Sequence, residues 1–167
     1  EFTILITLYS VMEEALTAIN FALDTHLMLE NEISIKWKIK PHPLTNKNKL
    51  IASLGRCLPE SWEWVDKDFH ESLDDVDVLM GNSSTTCVEA LAREKYVIII
   101  GNLYGITHNP IPSSVPHYLW GICYSPLEAS GVLKHCANEV VGVKSDTSVR
   151  SSFFEPLTHE GILGLLF

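Results

Sequence analysis

Apolar residues recur along the chain in two rhythms, a period near two in short runs and a period near 3.6 in longer ones, which predicts strands and helices in turn. Residues 2–9, rich in Ile, Leu and Thr, read as a buried strand. Ser10 followed by Glu13 makes a capping box. Met12, Leu16, Ile19, Leu23 and Leu27 then return at helical spacing and predict a helix over residues 11–29 whose apolar stripe faces the sheet. Ile33, Ile35, Trp37 and Ile39 alternate with Ser34, Lys36, Lys38 and Lys40, the mark of a strand with one wetter face near a sheet edge. That strand stops at Pro41-His42-Pro43.

A short helix over 47–54 closed by Gly55 follows, then a very short strand over 56–58 and a loop over 59–65 carrying Trp62 and Trp64. Asp66 is placed to cap a helix reaching residue 73. Residues 76–80 read as a strand, 81–86 as a small polar turn, and 96–100 as a second strand after a short helix, so that 76–102 forms one strand–helix–strand unit. Residues 103–120, with Gly105, Pro110, Pro112 and Pro116, form a long irregular loop of the kind that is functional or mobile. A helix over 125–138 presents Leu127, Val132, Leu133 and Cys136 on its apolar face, and a last strand is expected at 140–144. Thr158 caps a terminal helix whose Ile162, Leu163, Leu165, Leu166 and Phe167 need another surface to cover them. The alternation gives an α/β domain, a Rossmann-like, mainly parallel sheet with helices on both faces.

Composition narrows this picture. The 167 residues suit one compact domain, and 46% apolar residues with a mean hydropathy of +0.13 give a chain that can bury a core. A net charge of -9 with 12 Lys and Arg argues against nucleic acid as a partner, because phosphate neutralisation needs a basic face. Lys36, Lys38, Lys40, Lys47 and Lys49 do cluster; a solvated strand edge explains them on composition, and a basic rim for a small anion is the sharper alternative. Cys57, Cys87, Cys123 and Cys136 lie far apart without zinc-site or disulfide spacing, so they read as reduced core thiols. No secretory leader and no bilayer-length apolar run is visible, and the chain reads as cytoplasmic. The entry directly on an apolar strand suggests a domain excised from a larger protein.

The chemistry concentrates on the carboxyl ends of the strands, where ligands of parallel sheets bind. The turn 81–86 leads into a helix N-terminus, whose N–H groups favour an anion such as phosphate. Two prolines hold His42 on a stiff turn at the end of a strand, either as a ligand contact or as an incidental surface residue. Ser10 is explained by its capping role. Trp62 and Trp64 fill a gap between helix and sheet or stack on a base, the first being their usual fate. Asp74, Asp75 and Asp77 read as a solvated helix end, and neither a metal nor a cofactor is expected.

Lys40-Pro41-His42-Pro43, then residues 77–92 (DVLMGNSSTTCVEALA), then residues 97–102 (VIIIGN), resemble in their order the C-terminal, donor-binding half of GT-B glycosyltransferases. The paired HP and SS/ST motifs are most similar to bacterial transferases that use CMP-activated sialic acid or Kdo, and less closely to CDP-glycerol polymerases and UDP-N-acetylglucosamine 2-epimerases. The resemblance covers most of the chain, and it implies one half of a GT-B fold, residues 1–167 forming a single nucleotide-sugar donor-binding domain. It implies His42 as the catalytic contact to the donor phosphate or leaving group, with Lys40, Ser83, Ser84, Thr85 and Thr86 at the phosphate and Glu89 on the ribose. Glu89 has a second account, since Thr86-x-x-Glu89 is also a capping box. The implied partners are a nucleotide sugar, CMP-sugar favoured, and an N-terminal domain that supplies the catalytic base; the resemblance also allows peripheral membrane association of the full-length protein. Without that domain the chain is expected to bind nucleotide and to transfer no sugar. A sugar-nucleotide epimerase half and a non-catalytic interaction module that keeps the fold are the alternative readings.

Overall fold

A computed structural model of the protein describes residues 1–82, 84–102 and 104–139. The strand expected at 140–144, the terminal helix within 151–167 and Ser83 lie outside them. Among the described residues, six parallel strands form one sheet: β1 (Phe2–Thr7), β2 (Ile35–Lys40), β3 (Glu63–Trp64), β4 (Val78–Gly81), β5 (Tyr96–Ile100) and β6 (Trp120–Cys123). Their order is β3-β2-β1-β4-β5-β6. This is the doubly wound Rossmann order, in which the chain builds outward from β1 in one direction and then in the other. The direction reverses between β1 and β4, and a crevice opens there at the carboxyl ends.

Side-chain alternation divides the core into two layers. Ile4, Ile6, Val78, Met80, Ile98 and Ile100 face one cluster, while Leu5, Leu79, Val97 and Ile99 face the other. The first layer is covered by α1 (Met12–Leu29), α2 (Lys47–Ser53) and α5 (Pro126–Glu139). The second is covered by α3 (Phe69–Ser72), α4 (Thr85–Ala92) and the segment around Ile111 and Val115. Helices therefore lie on both faces, as the apolar runs of the central strands require.

Several local expectations change. The first residue of α1 follows Val11, which makes no side-chain cap, so Ser10 and Glu13 form no capping box. The buried face of α1 is built on Ala15, Ala18 and Ala22 with Ile19 and Leu23, small residues that let the helix lie close to the sheet, and Leu27 is left 55% exposed. Leu127 of α5 is likewise exposed, while Ala129, Leu133 and Cys136 are buried. Residues 56–58 form no strand. The edge strand is Glu63–Trp64, laid beside β2 because Trp62 stacks on Trp37 with ring centroids 5.1 Å apart. The tryptophan at 62 thus fills the gap between helix and sheet. Helix α3 is capped by Asp68, whose carboxylate accepts from the His70 N–H at 2.9 Å, and not by Asp66. Strand β6, absent from the pattern reading, is four residues long and interrupted by Gly121, so its apolar signal is weak. Of the four cysteines, Cys57 is exposed and the other three are buried, and none of the four is in a disulfide.

The three acids near residue 75 are structural ties. Lys38, buried on β2, donates to Asp75 at 2.5 Å; Thr3 N–H donates to Asp77 at 2.8 Å; and Arg93 lies 3.6 Å from Asp74. Among the described residues no group of His, Cys, Asp and Glu is placed to hold a metal ion, and no helix is long and apolar enough to cross a membrane.

Candidate functional site

A cavity of about 430 Å³ lies at the reversal point, where β1, β2 and β4 end. Strand β1 delivers Thr7 and then Tyr9 and Ser10 to its wall, the turn after β2 delivers His42, and the N-terminus of α4 delivers Ser84, Thr85 and Thr86. His108 and Pro110 close it from the segment after β5.

The turns are tied to one another. Leu8 N–H donates to the Lys40 carbonyl at 3.0 Å, and the Thr45 hydroxyl donates to the Tyr9 carbonyl at 3.2 Å, so the turns after β1 and β2 move together. His42 accepts from the Leu44 N–H through Nδ1 at 3.2 Å, and its carbonyl accepts from Thr45 N–H at 2.8 Å. That bond assigns Nδ1 as the acceptor, which leaves Nε2–H as the donor of the neutral imidazole.

Ser84 adopts an extended backbone before α4, and its hydroxyl accepts from the Thr86 N–H at 3.3 Å. Ser84, and not Thr86, is therefore the cap, and the Thr86-to-Glu89 capping box is not formed. This satisfies one of the free N–H groups of the first turn and leaves the helix end facing the cavity. Thr86 Oγ1 is buried with no hydrogen-bond partner among the described residues. A buried hydroxyl without a partner is costly and calls for an explanation. Cys87, behind it, is held as a thiol, its pKa pushed up to about 11 by burial. Its Sγ lies 3.5 Å from the Asn82 carbonyl, fixing the turn before α4.

The wall of this cavity contains hydroxyls, imidazoles and a helix N-terminus, and among the described residues no carboxylate. Such a set suits an anion with several acceptor oxygens, held by neutral donors and the helix dipole.

Two expected residues stand elsewhere. Lys40 Nζ donates to the Lys67 carbonyl, on the β3 side of the sheet. The Glu89 carboxylate lies 3.7 Å from His70 Nε2, with its side chain 35% exposed, facing α3 and not the cavity. The lysine cluster does not rim the site either: Lys36 lies 3.3 Å from Glu63, Lys38 is tied to Asp75, and Lys47 sits over the Trp64 ring at 4.6 Å. Thr7, Tyr9 and His108 line the cavity without standing out in the sequence pattern, and Pro110 comes from the long loop expected to be functional or mobile. For Thr7 and Tyr9 the signal was available, since they follow the central strand at its carboxyl end.

A second and larger cavity, about 690 Å³, adjoins the first and shares Tyr9 and His108 with it. It runs along the ends of β4, β5 and β6 and the first turns of α1.

No protein-family model and no curated protein matches the sequence. Among solved structures, the chain is similar to KpsC of Thermosulfurimonas dismutans, a beta Kdo 2,4 transferase, at 17% identity and a TM-score of 0.42, over 60% of this chain and 34% of that one. It thus spans about a third of that transferase. It is also similar to the catalytic domain of cholesterol-alpha-glucosyltransferase from Helicobacter pylori, at 11% identity and a TM-score of 0.47, over 100% of each chain. Both neighbours are named as glycosyltransferases; the strand order defines the fold of this chain.

Proposed function

We propose that this chain is the donor-binding half of a GT-B glycosyltransferase, holding a nucleotide sugar by its phosphate in the cavity between β1 and β4. The observation that carries the reading is the meeting of His42 with Ser84, Thr85 and Thr86 around an anion-fitting cavity in which Thr86 Oγ1 lacks a partner among the described residues. These residues belong to the two motifs on which the glycosyltransferase resemblance rests.

In this reading the Ser84, Thr85 and Thr86 hydroxyls and the α4 N-terminus hold the donor phosphate. His42 donates through Nε2–H to the oxygen that gains charge as the glycosidic bond breaks, so its contribution is electrostatic relief of the leaving group. The acceptor's proton is taken by a base from a second, N-terminal domain. The isolated chain therefore binds nucleotide without transferring sugar. Within the nucleotide sugars, the paired HP and SS/ST motifs favour CMP-activated donors.

Calorimetric titration with CMP, CDP and UDP tests the reading. We expect binding that His42→Ala and Ser84→Ala each weaken about tenfold, the scale of a hydrogen bond to a charged group. No nucleotide binding at millimolar concentration would sink it.

A further inference from the structure

The two adjoining cavities differ in charge. Among the described residues the phosphate cavity has no carboxylate in its wall, whereas the larger one is flanked by Glu13 and Glu14 from the first turn of α1. Among the described residues no lysine or arginine lines it. Both glutamates are exposed, and among the described residues neither has an ion-pair partner. The Glu14 charge is felt inside the groove: after burial, it is the next cause that raises the pKa of the Tyr9 hydroxyl, which lines both cavities.

The rest of the wall suits a polar ring. Asn102 contributes an amide, and Tyr124 contributes an aromatic surface locked against Gly101, where an added β-carbon would come within 2.5 Å of the ring. Aromatic faces beside carboxylate and amide groups are the chemistry that receives a hydroxylated or amino-bearing sugar. The positive end of α1 offsets only about half a charge against the two carboxylates. A carboxylate on the ligand would meet net repulsion there, and an ammonium net attraction.

We propose that this second cavity takes the sugar of the donor, that the sugar is neutral or amino-bearing, and that Glu13 and Glu14 reject sugars carrying a carboxylate. The inference rests on the nucleotide-sugar reading above but departs from its CMP-donor preference, because sialic acid and Kdo both carry a carboxylate. It makes the two glutamates specificity-determining residues.

The test is calorimetric titration of the 167-residue chain with UDP, UDP-glucose, UDP-glucosamine and UDP-glucuronate, and with CMP and CMP-N-acetylneuraminate. Within the UDP set only the sugar's substituent changes. We expect UDP-glucosamine to bind about tenfold more tightly than UDP-glucuronate, and CMP-N-acetylneuraminate to bind more weakly than CMP itself. In the Glu13→Gln/Glu14→Gln chain, whose exposed positions tolerate the amide, the acidic sugars should recover to the level of the neutral one. If nucleotides bind but acidic sugars bind as tightly as neutral ones, or if the gap persists in the double variant, the inference fails and the nucleotide reading stands. If no nucleotide binds, both fail.

Discussion

Gly81 and Thr7 are partners across the β1–β4 ladder, and a β-carbon at residue 81 would overlap Thr7 Oγ1 while standing 3.2 Å from the Thr7 carbonyl. The two strand ends therefore approach more closely than side chains on both would permit. This contact sits at the floor of the candidate site, where Thr7 lines the cavity and Gly81 begins the turn leading to Ser84. Gly81→Ala should destabilise the chain by about 1–3 kcal/mol, the usual scale of overpacking in a filled interior. Adding Thr7→Ala removes the overlapping hydroxyl and should restore part of that loss. Urea denaturation of the single and double variants measures both; equal stability of Gly81→Ala and the parent would contradict the close approach.

Thr86 supplies a prediction in which stability and binding move in opposite directions. Its Oγ1 has no partner among the described residues, so Thr86→Val, which keeps the shape and deletes the hydroxyl, should leave stability unchanged or raise it by up to about 1 kcal/mol. The same substitution removes the group proposed to meet the donor phosphate and should weaken nucleotide binding about tenfold. Thr86→Ser, which keeps the hydroxyl, should bind nearly as the parent does. Loss of stability together with unchanged binding would assign the hydroxyl a structural role only.

Lys38 and Asp75 form a lopsided pair, the lysine side chain only 8% exposed and the aspartate 64% exposed. The Lys38 hydrogen bond, with its charge, holds the Asp75 carboxyl below its ordinary value of 3.8. A depressed carboxylate pKa contributes stability that is present above the unfolded value and is lost as pH falls through the folded one. Acid unfolding below pH 4 should therefore include this pair. Asp75→Asn should cost about 1 kcal/mol at neutral pH, a figure kept small because the aspartate is mostly in solvent, and should flatten the acid limb. Denaturation midpoints between pH 2 and pH 6 check this, and an unchanged acid limb would rule it out.

The fold was legible where residues repeat a rhythm. Strands β1, β2 and β5 and helices α1 and α5 follow from runs whose apolar residues far outnumber the turn residues that bound them. Legibility failed where packing decided instead. Trp62 is drawn on to Trp37, which sets the edge strand at Glu63 and Trp64, and no local pattern encodes that meeting. The site shows the same division. His42 and Ser84, Thr85 and Thr86 were visible as motifs on strand ends, but the side on which a long side chain leaves the sheet was not. Lys40 turns to the Lys67 carbonyl and Glu89 to His70, each drawn by a partner distant in sequence or on another helix.

His26 presents its edge to both stacked tryptophans, with ring centroids 5.8 Å from Trp37 and 5.7 Å from Trp62. Burial lowers its pKa from the ordinary 6.5, against a smaller opposing pull from Glu30. Because the folded chain disfavours the imidazolium, the unfolded chain takes up the proton first as pH falls. Stability is therefore full above 6.5 and declines as pH drops through that value, the loss being complete once the folded histidine is also protonated. Replacing His26 with Phe should remove this decline between pH 5 and 7 while keeping an aromatic edge against the pair. Tryptophan fluorescence, followed during denaturation at each pH, reports on the Trp37–Trp62 stack directly. A parent chain with pH-independent stability across that window, or a His26→Phe chain that retains the decline, would place the titration elsewhere.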